Sequence, residues 1–529
     1  MFKRMRASAA PRKMLALLTA LTIALGPSVT PAFAASRPGK GHMPIQHIVV
    51  LFNENISFDH YFGTYPVALN PKGEPHFHAK PGTPNVNGLT NALLTFNPNL
   101  NPANGSAASN PFRLDRSQAV TTDQDHDYTA EQQAFDSGLM DLFPTDTGSG
   151  SNEEMGYFDG NTTTALWNYA QAYAMSDNSY GTTFGPSSPG VVNLVSGQTN
   201  GVTKTLNGTS DEVNGGPDGS LTLIGDADPI GDVCSNPTRD QAQMGGTNIG
   251  DLLTAAGVTW GGFMGGFNLN IKNKNGTTGC NRSSTGLAGT TADYVPHHSL
   301  FGYYASTANP QHTRPASIAE IGHDGPANHQ YDIDDFFDAI RHGNFPAVSF
   351  LKAPAYEDGH AGYSDPIDEQ HFIVKLINFL QEQKDWDSTA VVIMYDDSDG
   401  WYDHQMGPIL NTSTGPADAL TGPQACGTAA NSLPGINASN PHALGRCGYG
   451  PRLPLLVISP WSRENFVDNT ITDQSSIIHF IEDNWLGGQR IGQGSFDGIA
   501  NSIIQMFDFH HRRENSRLLL DPETGEPIR

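Results

Sequence analysis

Two aspartates, Asp396 and Asp397, close an apolar run, and adjacent carboxylates repel unless a cation lies between them. The run before them, residues 391–395, is too short for a helix and rich in β-branched types, so it reads as a buried strand. Its carboxyl end is where open α/β sheets bind ligands. Glu54 and Asn55 likewise follow an apolar run, residues 45–52. Two strands delivering hard oxygens to one sheet edge suit Mg²⁺, Mn²⁺ or Ca²⁺, and Zn²⁺ also accepts carboxylates. The plainer reading of Asp-Asp-Ser-Asp-Gly is a polar turn. An EF-hand is out of register, because Gly400 as sixth loop residue makes Tyr395 the first ligand and Met406 the twelfth.

A nucleophile and proton carriers are also in sight. Ser187 and Ser188 lie between Pro186 and Pro189 at the start of a new element, which reads as a positioned hydroxyl or as a Pro-rich turn. Neither G-x-S-x-G nor H-E-x-x-H occurs, which removes the nucleophile elbow and the commonest metalloprotease arrangement. His126 sits among Asp123, Asp125 and Asp127, and by itself reads as an exposed histidine whose pKa its acidic neighbours raise. His297 and His298 are adjacent, so at most one points into a given site. His360 falls beyond a strand expected over 345–351.

The elements that must position these residues alternate. Helices are expected over 165–175, over 249–256 between a cap at Asn248 and Gly257, after Asp365 with Pro366 in the first turn, and over 475–485. Further strands are expected over 258–264 and 455–458, and the alternation predicts a parallel sheet. Residues 66–121, 200–244 and 405–450 carry Gly, Pro, Asn and Ser without sustained periodicity and read as loop insertions forming a smaller lobe or lid.

A basic start, an apolar stretch over 14–25 and Ala32-Phe33-Ala34 read as a cleavable export signal over 1–34, so a secreted or periplasmic product with a catalytic unit over 35–529 is expected. The formal charge of −25, more negative still without that basic segment, argues against nucleic acid and against purely electrostatic docking on anionic membranes. No later run has the length of a transmembrane helix. Four cysteines in an exported chain predict two disulfides; Cys234 with Cys280 and Cys426 with Cys447 is one of three possible pairings.

Seven motifs occur in order: E-N-I-S-F-D-H-Y-F-G, D-H-D-Y-T-A-E-Q, F-G-P-S-S-P-G, Y-V-P-H-H, D-G-H-A-G-Y-S-D-P, Y-D-D-S-D-G-W-Y-D-H and L-V-I-S-P-W. Together they resemble the bacterial phosphoesterase family that contains phospholipases C and a branch of secreted acid phosphatases. The resemblance implies an α/β, alkaline-phosphatase-like core with a mainly parallel central sheet flanked by helices. It implies one divalent metal ion held by Glu54, Asn55, Asp396, Asp397 and the hydroxyl of Ser187. Ser187 would be the nucleophile and would pass through a phosphoserine, while His126, His298 and His360 surround the phosphoryl group. If those histidines bind phosphate as cations, the optimum is acidic, since free imidazole loses its charge near pH 6.5. The substrate is then a small phosphoester or a phospholipid. Serine followed by S-P-G favours the acid phosphatase branch, with phospholipase C as the alternative. A third reading, from another class, is a secreted binding protein whose acidic loops hold Ca²⁺ without catalysis.

Overall fold

The computed structural model describes residues 43–420, 426, 432–437, 444–514 and 516–528. The signal expected over 1–34 lies outside them, as does part of the insertion expected over 405–450.

Eight strands form the central sheet: β1 (His47–Asn53), β2 (Ala174–Ser176), β3 (Trp260–Met264), β4 (Gln330–Asp332), β5 (Val348–Lys352), β6 (Thr389–Tyr395), β7 (Leu455–Ile458) and β8 (Phe466–Asp468), in the order β4-β3-β5-β1-β6-β7-β2-β8. Only β7 runs against the rest, so the sheet is mainly parallel, as expected. β1 and β6 are central and fully paired from His47 opposite Thr389 to Asn53 opposite Tyr395. Their apolar runs are continuous because both faces are covered. Val49 and Leu51 face a core built with α2 (Thr164–Ala172), α5 (Ile333–Arg341) and α6 (Pro366–Glu382). Ile48, Val50 and Phe52 face the opposite core, built with α3 (Ser187–Ser196), α4 (Ile249–Ala256) and α7 (Ser475–Trp485). The remaining helix the site needs, α1 (Tyr128–Phe135), packs in a separate cluster with Phe143, Phe184 and Tyr402.

Helix ends follow their sequence signals. Asn248 caps α4 by accepting from Asp251 N, and Gly257 ends it in the left-handed region at φ +67°. Asp365 accepts from Ile367 N and Asp368 N at the start of α6, with Pro366 in the first turn. Both expected disulfides, Cys234–Cys280 and Cys426–Cys447, are formed.

Two expectations need correction. The helix expected over 165–175 stops at Ala172, and Ala174–Ser176 turns into the sheet as β2, because pairing with β7 and β8 there outweighs helical propensity. Residues 200–244 are not loop-like. They contain a five-stranded sheet of Asn200–Leu206, Glu212–Asn214, Leu221–Leu223, Asp228–Pro229 and Gln241–Met244. Its strands are short and polar and carry little of the alternation that marks a strand in sequence.

Candidate functional site

The carboxyl ends of β1, β5 and β6 meet, and their next residues build the site. Glu54 N donates to Asp358 O, Ile56 N to Asp397 O, and Asp396 N to Asn53 O, which ties the three segments together by backbone alone. Asn55 and Asp399 adopt φ of +63° and +53°, a left-handed conformation that Asn and Asp tolerate better than most residues. Those turns meet, with Asn55 Nδ2 donating to Asp399 Oδ1 at 3.0 Å.

Ser187 is the first residue of α3 and is 1% exposed. Its Oγ lies 3.0 Å from Glu54 Oε2 and 3.3 Å from Asp397 Oδ2. The helix can approach so closely because its fourth residue is Gly190: a Cβ there would stand 2.5 Å from Asp396 O. Glu131 on α1 accepts from Gly185 N at 3.0 Å and from Ser398 Oγ at 2.7 Å, so one buried carboxyl joins the serine loop to the aspartate loop. Burial pushes that carboxyl up to about 8.

The donor set fits a hard divalent cation. Glu54 Oε2, Asp397 Oδ2 and Ser187 Oγ converge, and Asn55 Oδ1 is buried without a protein partner. Burial, and then the charge of Asp396, raise the Asp397 carboxyl well above the usual range, which a bound cation would reverse. Asp396 is turned differently. Its Oδ1 accepts from Asn55 N and Asp397 N, both at 2.9 Å, and its Oδ2 faces the buried ammonium of Lys352 at 3.5 Å, which also pairs with Glu54 Oε1.

All three expected histidines surround this cluster. His298 Nδ1 lies 3.1 Å from Glu54 Oε1, and its Nε2 is buried without a partner. The ring of His360 is 6.5 Å from that of His298 and 6.1 Å from that of His126. His126 is 11% exposed and reaches Asp399 at 3.5 Å, so it is not the exposed histidine its local sequence describes. Burial lowers His126, but Asp397, Asp399, Asp123 and Asp226 outweigh it and the imidazole is held well above its ordinary value. Burial, then the other imidazoles, depress His298 well below that value. Burial likewise takes His360 down to about 4, with Asp123 opposing. The surroundings therefore push one imidazole towards its charged form and two towards their neutral form. His297 diverges from His298 as expected, towards Asp228 at 3.5 Å.

The family resemblance grouped Glu54, Asn55, Ser187, Asp396, Asp397, His126, His298 and His360, and the structure brings these eight near one another, while sequence reasoning left other site residues out. It missed Lys352, Glu131, Asp399 and Asp226, which accepts from Ser188 N at 2.9 Å. Glu131 and Asp399 stand within quoted motifs and Lys352 at a strand's end, so their positions were available without their partners.

A model of the phosphoesterase family matches residues 45–486, and the chain belongs to that family. Among its relatives, the non-hemolytic phospholipase C of Pseudomonas aeruginosa is 25% identical over 83% of this chain and 53% of its own length. Phospholipase C B of Mycobacterium tuberculosis is 23% identical over 86% of this chain and 76% of its own. This chain spans about half the length of the Pseudomonas relative. Among solved structures, an alkaline phosphatase superfamily protein from Vibrio parahaemolyticus aligns over 64% of this chain and 62% of its own, with 12% identity and a TM-score of 0.28. Murine ectonucleotide pyrophosphatase / phosphodiesterase 5 aligns over 65% of this chain and 95% of its own, with 12% identity and a TM-score of 0.31.

Proposed function

We propose that the chain is a metal-dependent phosphomonoesterase acting through a phosphoserine on Ser187. The observation that carries this is the convergence of Glu54, Asp397 and Ser187 beside three histidines. Glu54, Asn55, Asp397 and Ser187, with Asp396 behind them, would hold one divalent ion. Such an ion lowers the pKa of a bound hydroxyl and offsets phosphoryl charge.

The chain's own groups supply the rest. Ser187 Oγ attacks phosphorus in line with the departing oxygen, and its proton passes to the neighbouring carboxylates. The first turn of α3 presents the positive end of a helix to the charge that builds on the phosphoryl oxygens. His126 carries the proton that the leaving alkoxide needs. His360 donates Nδ1–H to Ala361 O at 2.6 Å, leaving Nε2 as an acceptor for a proton of the water that hydrolyses the phosphoserine.

A soluble ester is favoured over a lipid because the groups around His126, namely Asp123, Asp125, Asp127 and Asp226, are polar; their negative charge itself gives no preference for a phosphomonoester over a choline ester. The second reading, phospholipase C, is supported by the names of the relatives. Hydrolysis of 4-nitrophenyl phosphate and of 4-nitrophenyl phosphorylcholine, from pH 4 to 9 with and without chelator, separates them. Preference for the monoester with loss on chelation supports the proposal; preference for the choline diester replaces it with phospholipase C. Ser187→Ala should keep fold and bound metal and lose turnover by at least ~10³-fold. Unchanged turnover in that variant would remove Ser187 from the mechanism. A wild-type protein that binds Ca²⁺ and turns over neither ester would be the binding protein instead. An exported product is part of this reading; among the described residues no helix is long and apolar enough to cross a membrane.

A further inference from the structure

We propose that Glu369 is a positioning residue for the phosphoryl site, a role that builds on the catalytic reading above. Glu369 projects from α6 and is 1% exposed. Its Oε1 accepts from Asn53 Nδ2 and from Tyr395 OH, both at 2.6 Å, and its Oε2 accepts from Tyr61 OH at 2.9 Å. Asn53 and Tyr395 face each other as the last paired rung of β1 and β6. The residues that follow them are Glu54 and Asp396. One carboxylate therefore fixes the rung from which both groups of oxygen donors spring.

The same carboxylate touches a third segment. Gly359, immediately before His360, has φ +101°, and a Cβ there would lie 3.1 Å from Glu369 Cδ and 3.3 Å from Glu54 O. The histidine loop thus lies directly on Glu369, so a shift of this side chain moves the metal-facing residues and His360 together. Three buried donors on one acceptor group also explain the residue type. An apolar side chain of equal size would strand an amide and two hydroxyls away from water, each an unpaired buried polar group. Glutamine would keep Oε1 for Asn53 and Tyr395 and present an amide to the Tyr61 hydroxyl, which can turn to accept.

The test compares Glu369→Leu, Glu369→Gln and Tyr395→Phe in the full chain. The readouts are hydrogen exchange over residues 50–56 and 392–399 without metal, Mn²⁺ affinity by calorimetry, and kcat and KM on 4-nitrophenyl phosphate. Glu369→Leu should speed exchange at both strand ends while the middle of α6 stays protected. It should weaken Mn²⁺ about 10- to 100-fold and lower kcat more than it raises KM. Glu369→Gln should restore most of each, and Tyr395→Phe should give a smaller loss of the same kind. Should Glu369→Leu fail to fold, Tyr395→Phe carries the test, and wild-type exchange and Mn²⁺ affinity in it would overturn the proposal. So would a folded Glu369→Leu that loses only thermal stability, or a Glu369→Gln as impaired as the leucine. The exchange readout needs no turnover, so failure of the phosphomonoesterase reading leaves this result interpretable.

Discussion

At the scale of single residues, what distinguishes the three histidines is charge state rather than position. The His360 ring lies 6.1 Å from that of His126 and 6.5 Å from that of His298, yet the aspartates around His126 outweigh its burial and favour its charged form, while burial favours the neutral forms of His298 and His360. A proton donor to the departing oxygen matters most when that oxygen is a poor leaving group. His126→Ala should therefore cost about 10²- to 10⁴-fold on an alkyl phosphate and distinctly less on 4-nitrophenyl phosphate, whose phenolate departs without help. Steady-state rates on the two esters check this. An equal loss on both would give His126 a charge-stabilising role alone and return proton donation to one of the other two. Asp399 supports the same group: its Oδ1 accepts from Asn55 Nδ2 at 3.0 Å and faces His126, so it orients both at once.

At the scale of elements, α3 sets the site's tightest tolerance. Its first residue is Ser187, the proposed nucleophile, and its fourth, Gly190, rests against the carbonyl of Asp396, so helix and strand end meet without a side chain between them. Gly190→Ala would press a methyl on backbone that cannot swing aside. Overpacking of this kind costs about 1–3 kcal/mol, and relief by backing the helix away would part Ser187 Oγ from Glu54. Denaturant melts should show that loss, and turnover should fall further than in a variant equally destabilised far from the site. Turnover that tracks stability alone would make Gly190 a packing residue only. This junction also shows what could be read from sequence. The apolar runs ending in Glu54-Asn55 and Asp396-Asp397 announce two buried strands, and prolines around Ser187 announce an element's start. That the two strands are sheet neighbours in register, and that α3 ends on one of them, depends on pairings more than 300 residues apart for β1 and β6 and about 200 apart for Ser187 and Asp397. Local pattern carries no trace of such partners. The convergence of the histidines came from family resemblance, and the sheet within residues 200–244 was hidden because its strands are polar and short.

At the scale of the whole molecule, buried titratable groups set how folding stability changes with pH. His60 is 2% exposed, donates Nδ1–H to Gly156 O at 2.8 Å and stacks on Trp401 at 3.9 Å, and burial holds its pKa down to about 3. In the unfolded chain the same imidazole titrates near 6.5, so the folded state binds fewer protons between those values. Stability from a depressed base is therefore fully present above pH 6.5 and is lost as pH falls towards 3, at about 1.4 kcal/mol per unit. Raised carboxyls act with the opposite sign. Glu131 at about 8 and Glu369 at about 7 contribute stability that is whole below their ordinary values and is lost as pH climbs to those figures. The fold is thus penalised on both sides, and the acid side is the limb that His60 erodes. His60→Asn removes the titration while its amide can still reach Gly156 O. It should be less stable than wild type at pH 7.5, having lost the stack on Trp401, but its stability should fall less steeply from pH 6.5 to pH 4. Urea unfolding at four pH values across that range measures both slopes. Parallel slopes would show that protonation of His60 is not what the acid limb reports, and would shift attention to buried His298 and His360, which also take up protons when the chain unfolds in acid.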